Sequence, residues 1–384
     1  MTHSTKHSIR NTALILALLP PGAFLHAVSL TRGPYLQNLQ PSRVTIVWKT
    51  DMASDSEIVY GPASSYGFKI GDPSTVTQHA LTIPNLAKSQ TYHYKVKSGG
   101  AALTGDLTFR AGKDSTFTSF TFAAMGDHRS SPPAHLAIAQ RVRLTDPELI
   151  LDTGDLTNDG NKASNWDPQF FTPEKDVMSR ICLFPSIGNH DGTAQNYLDY
   201  FVLPAQSSGS ERYYSFDYAN AHYVVIDSYS NFSQGSAQHN WLVRDLEVNK
   251  NKPWLFAMMH NPPYSSSSHG SDLPTRNTLC PLFEAGGVDV VFSGHDHDYE
   301  RSLVNGVLYI VTGGGGAPLY KSGRNSWTQF SSSQHHFTVV NVDNTTCAIQ
   351  AVASDGAVID AVSLSPSGVR EWHREADNKT ETER

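Results

Sequence analysis

Seven short apolar segments alternate with amphipathic stretches of helical period after residue 113, and this alternation restricts the possible fold strongly. The segments are Phe117–Met125, Leu149–Asp152, Leu183–Ile187, Tyr223–Ile226, Trp254–Met259, Val288–Phe292 and Val307–Val311. Nearly continuous apolar strands separated by helices are typical of a layered α/β domain with buried sheets. Tyr213–Tyr218 and His222–Asp227 instead predict an antiparallel hairpin, so we expect the sheets to be mixed.

Residues 29–112 follow a different pattern, in which short alternating strands are separated by turn residues. Arg43–Trp48 and Thr91–Val96 alternate polar and apolar side chains, and no helical period interrupts the series. Strands at this spacing predict a small β-sandwich. The segment contains few acid or histidine pairs, so we expect it to pack against or position the rest of the chain. Residues 113–368 are then predicted to form a second, larger domain.

Both ends of the chain differ in composition from these two regions. Residues 1–27 have the layout of a secretory signal peptide, with Lys6 and Arg10 before an apolar core at 13–19 and a possible cleavage site after Ala27. This layout predicts a secreted or periplasmic protein, and an N-terminal arm of the folded chain is the alternative. Residues 369–384 are charged and nearly free of large apolar side chains, which predicts a disordered tail.

The overall composition excludes several classes of protein. A formal net charge of −7 argues against a general nucleic-acid binder, which would normally carry a basic excess. No apolar run is long enough to predict a transmembrane helix. The three cysteines, Cys182, Cys280 and Cys347, allow at most one disulfide bond. The sequence leaves their disulfide state and the oligomeric state open.

Five of the predicted strands are followed at once by acidic, histidine or asparagine residues. The five loops are Gly126-Asp127-His128-Arg129, Gly154-Asp155-Leu156-Thr157-Asn158, Gly188-Asn189-His190-Asp191, His260-Asn261-Pro262-Pro263 and Gly294-His295-Asp296-His297. Ligands of layered α/β domains bind at the carboxyl ends of the strands, so we expect these loops to converge. Each motif alone is weak, because Gly-Asp is common in turns and a lone histidine is common in a core. All five together are difficult to explain as independent caps and turns.

The residue types in these loops indicate a two-metal hydrolase. Carboxylate, imidazole and amide ligands suit iron, zinc or manganese, and no cysteine pair lies near enough in sequence to suggest a thiolate site. Two neighbouring ions can hold a hydroxide and stabilise both oxygens of an in-line phosphoryl displacement. Cations are also needed to attract a phosphate ester to a protein of negative net charge.

The order and spacing of the five loops resemble those of calcineurin-like metallophosphoesterases, and in particular those of purple acid phosphatases. The resemblance covers about residues 29–365 and includes Tyr264, His269 and Tyr299-Glu300-Arg301. It implies an N-terminal fibronectin III-like sandwich followed by a catalytic domain layered α/β/β/α with mixed sheets. It also implies two metal ions per chain and a small phosphate-ester substrate.

The resemblance also implies roles for individual residues. The first metal position would be formed by Asp127, Asp155 and His297, with Asp155 bridging to the second. The second metal position would be completed by Asn189, His260 and His295. His190 and His269 correspond to the substrate-facing histidines of the family, which bind phosphate and protonate the leaving group; Asn189 would also contact the substrate.

Two residues depart from the family pattern at the first metal position. Purple acid phosphatases have a tyrosine three residues after the bridging aspartate, where this chain has Asn158. The related phosphodiesterases have a histidine two residues after the first aspartate, where this chain has Arg129. We therefore expect Asn158 to be a weak metal ligand and Arg129 to bind a phosphate oxygen. The first metal position then lacks one strong ligand.

Three functions are compatible with these features. The principal prediction is a secreted phosphomonoesterase that uses a metal-bridging hydroxide at a dinuclear site. The first alternative is a phosphodiesterase acting on nucleotides or lipid head groups, which the missing tyrosine favours. The second is a binding protein that retains a vestigial hydrolase site.

Overall fold

The structure is a computed structural model that describes Met1 and residues 27–365. The predicted disordered tail lies outside these residues, as does all of the predicted signal peptide except its two end residues. Within the described part of the chain, no helix is long and apolar enough to cross a membrane. Cys182, Cys280 and Cys347 are buried and none of them forms a disulfide bond.

The N-terminal region consists of six strands connected in one antiparallel network. The strands are β1 (Leu30–Gln40), β2 (Arg43–Gly61), β3 (Phe68–Ile83), β4 (Thr91–Ser98), β5 (Ala101–Ala102) and β6 (Leu107–Arg110). The first part of β2 pairs with β1 and with the end of β3, whereas its second part pairs with β4 and the start of β3. The long strands β2 and β3 therefore each contribute to both halves of this region.

His79 holds the bend between the two halves of β2. Its ring nitrogens lie 2.8 Å from the hydroxyls of Thr50 and Ser56, one on each side of the bend, and its ring stacks on Trp48. Burial lowers the pKa of His79, and a neutral imidazole has the one donor and one acceptor that two hydroxyls can satisfy. Trp48 Nε1 in turn donates to Ser98 Oγ of β4 at 3.1 Å, so the two halves pack together.

The following domain contains two mixed sheets. One sheet has the order β19-β18-β17-β7-β8-β9 and the other has the order β10-β11-β12-β13-β15-β14-β16. The strands are β7 (Phe120–Met125), β8 (Leu149–Asp152), β9 (Cys182–Pro185), β10 (Tyr214–Tyr218), β11 (Ala221–Val225), β12 (Trp254–Met258), β13 (Val290–Ser293), β14 (Tyr299–Val304), β15 (Val307–Thr312), β16 (Thr328–Ser332), β17 (His336–Val342), β18 (Cys347–Ala353) and β19 (Val358–Leu364). The antiparallel pair β10–β11 confirms the predicted hairpin, and the neighbouring β11–β12–β13 are parallel.

Within residues 27–365, six α-helices accompany the sheets. They are α1 (Pro132–Thr145), α2 (Ala163–Trp166), α3 (Lys175–Met178), α4 (Gln195–Tyr200), α5 (Ala237–Asn249) and α6 (Leu273–Gly286), with a π-helical turn at Asp167–Phe171 and a 3-10 turn at Asn189–Asp191. Side-chain caps begin the two long helices of the second half: Ser236 Oγ accepts from the third residue of α5, and Asp272 does the same for α6. Gly287 ends α6 in the left-handed conformation.

The alternation of side chains along the strands produces four layers. On β12, Phe256 faces the first sheet, where its ring lies 5.1 Å from that of Phe122, whereas Leu255 and Ala257 belong to a second cluster with Leu242 of α5 and Phe283 of α6. On the far side of the first sheet, α1 buries Ile138, Ala139 and Val142. The predicted α/β/β/α layering with mixed sheets is therefore confirmed.

Arg32 of β1 connects the N-terminal region to the following domain. Its guanidinium forms two hydrogen bonds with the Asp167 carboxylate, at 2.5 and 3.0 Å, and lies over the rings of Phe171 and Tyr200. Tyr35 OH adds a 2.6 Å bond to the Tyr200 carbonyl. The two regions therefore pack against each other through polar as well as apolar contacts.

Replacing Arg32 with alanine is expected to lower the free energy of unfolding by about 1–2 kcal/mol, because its cation–π contacts and a charge-assisted pair with the partly exposed Asp167 carboxylate are lost. Arg32→Lys should recover only part of this, since an ammonium cannot form the two parallel bonds or stack on the rings. Urea denaturation would measure the differences, with Arg143→Ala, a surface arginine of α1, as the control. Equal stability of the Arg32→Ala and Arg143→Ala proteins would contradict this assignment.

Candidate metal centre

The five loops predicted to converge do so at the carboxyl ends of β7, β8, β9, β12 and β13. Asp127, Asp155 and His295 in these loops adopt left-handed backbone conformations, with φ of 60°, 59° and 71°. Non-glycine residues in this region are uncommon and are concentrated at functional sites. The conformation turns each of these side chains back toward the centre of the cluster.

The glycines in these loops permit close approach between neighbouring loops. A Cβ added to Gly188 would collide with Asp155, and one added to Gly294 would collide with the Asp127 carboxylate. Neither glycine has a positive φ. These two positions require glycine because no side chain fits between the neighbouring candidate ligands.

Four polar atoms converge at the predicted second metal position. Asn189 Oδ1 lies 3.2 Å from His260 Nε2 and 3.0 Å from His295 Nδ1, and His260 Nε2 lies 3.4 Å from Asp155 Oδ1. His260 Nδ1 donates to the carbonyl of Thr153 at 2.8 Å, which leaves the lone pair of its Nε2 directed into the cluster. This donor set of carboxylate, amide oxygen and imidazole suits a divalent transition-metal ion.

The first metal position has a different set of candidate ligands, which includes Asp127 and His297. Asp127 Oδ1 is buried without a hydrogen-bond partner and lies 3.5 Å from His297 Nε2. His297 Nδ1 donates to the Pro318 carbonyl at 2.7 Å, so its Nε2 also presents a lone pair. Ligand atoms of Asp127, Asp155 and His260 lie within 4.8 Å of one another, which places the two positions side by side.

The buried carboxylates and imidazoles of the cluster shift one another's pKa values: burial acts to lower the pKa of His260, but Asp155 and Asp127 outweigh it and raise the pKa. Burial and the nearby His260 lower the pKa of His295 to about 3, so this imidazole is neutral. Burial acts to raise the pKa of Asp127, but the facing histidines His297, His260 and His295 outweigh it and lower the pKa. Carboxylates and neutral imidazoles are the forms that coordinate a metal ion.

Arg129 lies inside the first metal position. Its Nε donates to Asp155 Oδ2 at 3.0 Å, and its Nη2 donates to His297 Nε2 at 3.2 Å. The Arg129 side chain is 14% exposed. Asn158 is exposed, and its Oδ1 accepts a 2.7 Å hydrogen bond from Ser130.

The two predicted substrate-facing histidines lie at the more exposed side of the cluster. His190 Nδ1 donates to the Asn158 carbonyl at 2.8 Å, and its Nε2 lies 4.0 Å from Asp155 Oδ2. His269 is exposed and its ring stacks on that of His295, with 4.2 Å between the centroids. Both imidazoles are therefore close to the candidate ligands.

Two aromatic residues at this site, Tyr229 and Tyr320, were not predicted from the sequence. Tyr229 OH lies 3.2 Å from Asn189 Oδ1 and also close to Asn261 Oδ1, and its single proton can be donated to one of these oxygens at a time. Tyr320 stacks on His297 with 4.1 Å between ring centroids and meets His269 edge-on. Tyr229 follows the carboxyl end of β11, so the rule that identified the other loops would have found it, whereas Tyr320 lies in a long loop after β15.

Two buried aspartates organise the loops from behind. Asp191 accepts the backbone N–H groups of Gly188, Asp155 and Leu156 at 2.8–3.0 Å. Burial and the adjacent Asp155 raise the pKa of Asp191, whereas the three N–H groups favour its carboxylate form. Asp296 accepts from Ser265 Oγ and from the backbone N–H of His269, which ties the loop carrying His269 to the loop of His295 and His297.

His128, beside Asp127 in sequence, points away from the candidate ligands into the domain. Its Nε2 lies 2.7 Å from Asp152 Oδ2, and its ring stacks on His135, which pairs with Glu174 at 2.7 Å. All four side chains are fully buried. Burial acts to lower the pKa of His128, but Asp152 outweighs it and raises the pKa to about 9. This cluster supports the loop after β7 from the side opposite the metal positions.

The chain is similar in sequence to a known phosphoesterase family and to several phosphatases. Residues 120–299 match the calcineurin-like phosphoesterase family. A purple acid phosphatase of Glycine max is 29% identical over 78% of this chain and 71% of its own length. A phosphoenolpyruvate phosphatase of Allium cepa is 27% identical over 73% of this chain and 62% of its own length.

A solved structure gives the same result for the fold. The purple acid phosphatase from yellow lupin (Lupinus luteus) seeds superimposes with a TM-score of 0.76, covering 87% of this chain and 74% of that one at 19% identity. Residues 120–299 are therefore a calcineurin-like phosphoesterase domain, and the chain is a hydrolase of phosphoric esters with purple acid phosphatases among its relatives.

Proposed function

We propose that this chain is a secreted, metal-dependent phosphomonoesterase. The observation that carries the proposal is the convergence of Asn189 Oδ1, His260 Nε2, His295 Nδ1 and Asp155 Oδ1 beside two accessible imidazoles. The family match implies two metal ions per chain, and iron, zinc and manganese all suit these oxygen and nitrogen ligands. Bound metal would supply Lewis acidity toward the phosphate and lower the pKa of water.

The chain's own residues would orient the ester and transfer a proton to its leaving group. The second-position ligands are held rigidly, because His260 is fixed by the Thr153 carbonyl and Asp155 by the His190 backbone N–H. His190 and His269 lie next to these ligands and are more exposed. We propose that they bind phosphate oxygens and that one of them protonates the leaving group.

The charges around the site favour a monoester over a diester. A phosphate monoester is a dianion near neutral pH and has three terminal oxygens. A diester has one negative charge and two terminal oxygens. Arg129, His190 and His269 offer hydrogen-bond donors beyond the metal ligands, as the third oxygen requires. A phosphodiesterase remains the second candidate, because Asn158 departs from the phosphomonoesterase pattern.

Secretion is proposed from the layout of residues 1–27 alone. Expression of the full chain in a host with an export pathway should yield a product that begins at Val28, as mass spectrometry of the intact protein would measure. Retention of the full-length chain in the cell would reject this part of the proposal.

Chelation of the purified protein is expected to abolish hydrolysis of 4-nitrophenyl phosphate, and return of iron, zinc or manganese should restore it. His260→Ala should lower kcat by at least about 100-fold, since a metal ligand is lost. His93→Ala, a surface histidine of β4, serves as the matched control. Activity unaffected by chelation, or a higher kcat/KM on the bis-4-nitrophenyl diester, would reject the proposed function.

His269→Ala and His190→Ala should separate the proton donor from a residue that only binds phosphate. Loss of a general acid lowers kcat by about 10²–10⁴-fold on an alkyl phosphate, and by less on 4-nitrophenyl phosphate, whose leaving group needs little protonation. A variant that raises KM equally on both esters identifies a binding residue instead. Wild-type kinetics from both variants would contradict the assignment of these histidines.

The iron-loaded protein is expected to be colourless. The resemblance to purple acid phosphatases implies that their colour comes from charge transfer between a tyrosinate and ferric iron, and the neutral amide of Asn158 cannot supply that transition. An absorption spectrum recorded after loading with ferric iron would test this. A strong, broad visible band would show that another tyrosine, such as Tyr229 or Tyr320, has become a ligand.

A further inference from the structure

We infer that the Arg129 guanidinium takes the place of the first metal ion, so that the centre binds one ion, at the second position. This inference rests on the proposed metal-dependent function and deepens it. It concerns only how many ions the chain binds and which residues bind them. The residues that would hold the first ion are present, but Arg129 engages two of them.

His297 has only one nitrogen lone pair, and Arg129 occupies it. Its Nδ1 donates to the Pro318 carbonyl, so Nε2 has a single lone pair, and Arg129 Nη2 is 3.2 Å from it. An imidazole nitrogen cannot accept a hydrogen bond and coordinate a metal with the same lone pair. Arg129 and an ion at the first position are therefore mutually exclusive at His297.

Arg129 also binds the carboxylate of Asp155, which would bridge the two ions of a dinuclear centre. Arg129 Nε is 3.0 Å from Asp155 Oδ2, and the Asp155 side chain is completely buried. An ion at the first position would displace this charge-assisted bond. The guanidinium, which does not deprotonate in proteins, would then be left without its carboxylate partner. The other carboxylate oxygen, Asp155 Oδ1, is on the side of the second position, 3.4 Å from His260 Nε2.

The net charge of the centre also favours one ion rather than two beside Arg129. Asp127 and Asp155 are the two carboxylates among the candidate ligands. With Arg129 and one divalent ion the centre has a net charge of about +1, whereas two divalent ions beside Arg129 would raise it to about +3. Asn158 brings no compensating negative charge. The arginine therefore supplies permanently the positive charge that a first ion would bring.

Asp127 Oδ1 is an unused candidate ligand atom at the first metal position. This oxygen is buried and unpartnered, while Asp127 Oδ2 accepts the backbone N–H of His295 at 2.9 Å. Removing the guanidinium would free Asp155 Oδ2 and His297 Nε2, and His297 Nε2 lies 3.5 Å from Asp127 Oδ1; two carboxylates and an imidazole are a ligand set that suits an ion. Arg129→Ala is thus predicted to create a dinuclear centre.

Manganese binding to the full chain tests this inference without any measurement of activity. Chelated protein is dialysed against Mn²⁺, metal per chain is measured by elemental mass spectrometry, and the bound ions are examined by electron paramagnetic resonance. We expect one ion and an isolated six-line spectrum for the wild type, and two ions with a magnetically coupled spectrum for Arg129→Ala. Binding at the first position should be roughly 10- to 100-fold tighter in the variant.

Further variants locate the single ion. His297→Ala should leave one ion in place because His297 is not its ligand, whereas His260→Ala should remove it. Arg143→Ala on α1 is the arginine control and should bind one ion. Arg129→Gln, which keeps much of the side-chain length, replaces Arg129→Ala if circular dichroism shows that the alanine variant is unfolded.

The outcomes distinguish this inference from the proposed function. Two magnetically coupled ions in the wild type, with affinities equal to those of Arg129→Ala, would overturn it. A wild type that binds no ion would overturn both this inference and the metal-dependent function. One bound ion without hydrolysis of any phosphate ester would reject the function and support the inference.

Discussion

The architecture of the site depends on the contacts of one buried carboxylate, that of Asp155. It follows β8 and accepts the backbone N–H of His190 from the loop after β9, while Arg129 from the loop after β7 binds its other oxygen. His260, after β12 in the other sheet, lies 3.4 Å away. A charge without solvent contact is costly unless such partners compensate it, so this carboxylate holds the loops of both sheets in one arrangement.

Much of this arrangement could be predicted because it follows from strand periodicity and from the position of polar residues at strand ends. Asp127, Asn189 and His295 were identified in this way, and their convergence required only that the strands be ordered in two packed sheets. The layering was also predictable, since Phe256 and Leu255 alternate between two cores. These features depend on local sequence and on one rule of topology.

Other features could not be predicted, because they depend on where a side chain turns after the backbone is placed. His128 and Arg129 are adjacent, yet His128 points inward to Asp152 and Arg129 points into the site. The continuous β2 and β3, which serve both halves of the N-terminal region, were expected as separate short strands. Their bend is stabilised by His79, whose partners are distant from it in sequence.

Arg129 and a metal ion would differ in what they contribute to phosphate-ester hydrolysis. A guanidinium supplies a permanent charge and donors that match phosphate oxygens, but it cannot lower the pKa of a bound water as an ion does. Activation of water would then depend entirely on Asp155, Asn189, His260 and His295. Their rigidity matters more in such a centre, because no second ion would compensate a displaced ligand. The carbonyl of Thr153 and the carboxylate of Asp191, which fix His260 and the loop carrying Asn189, then become as important as the ligands themselves.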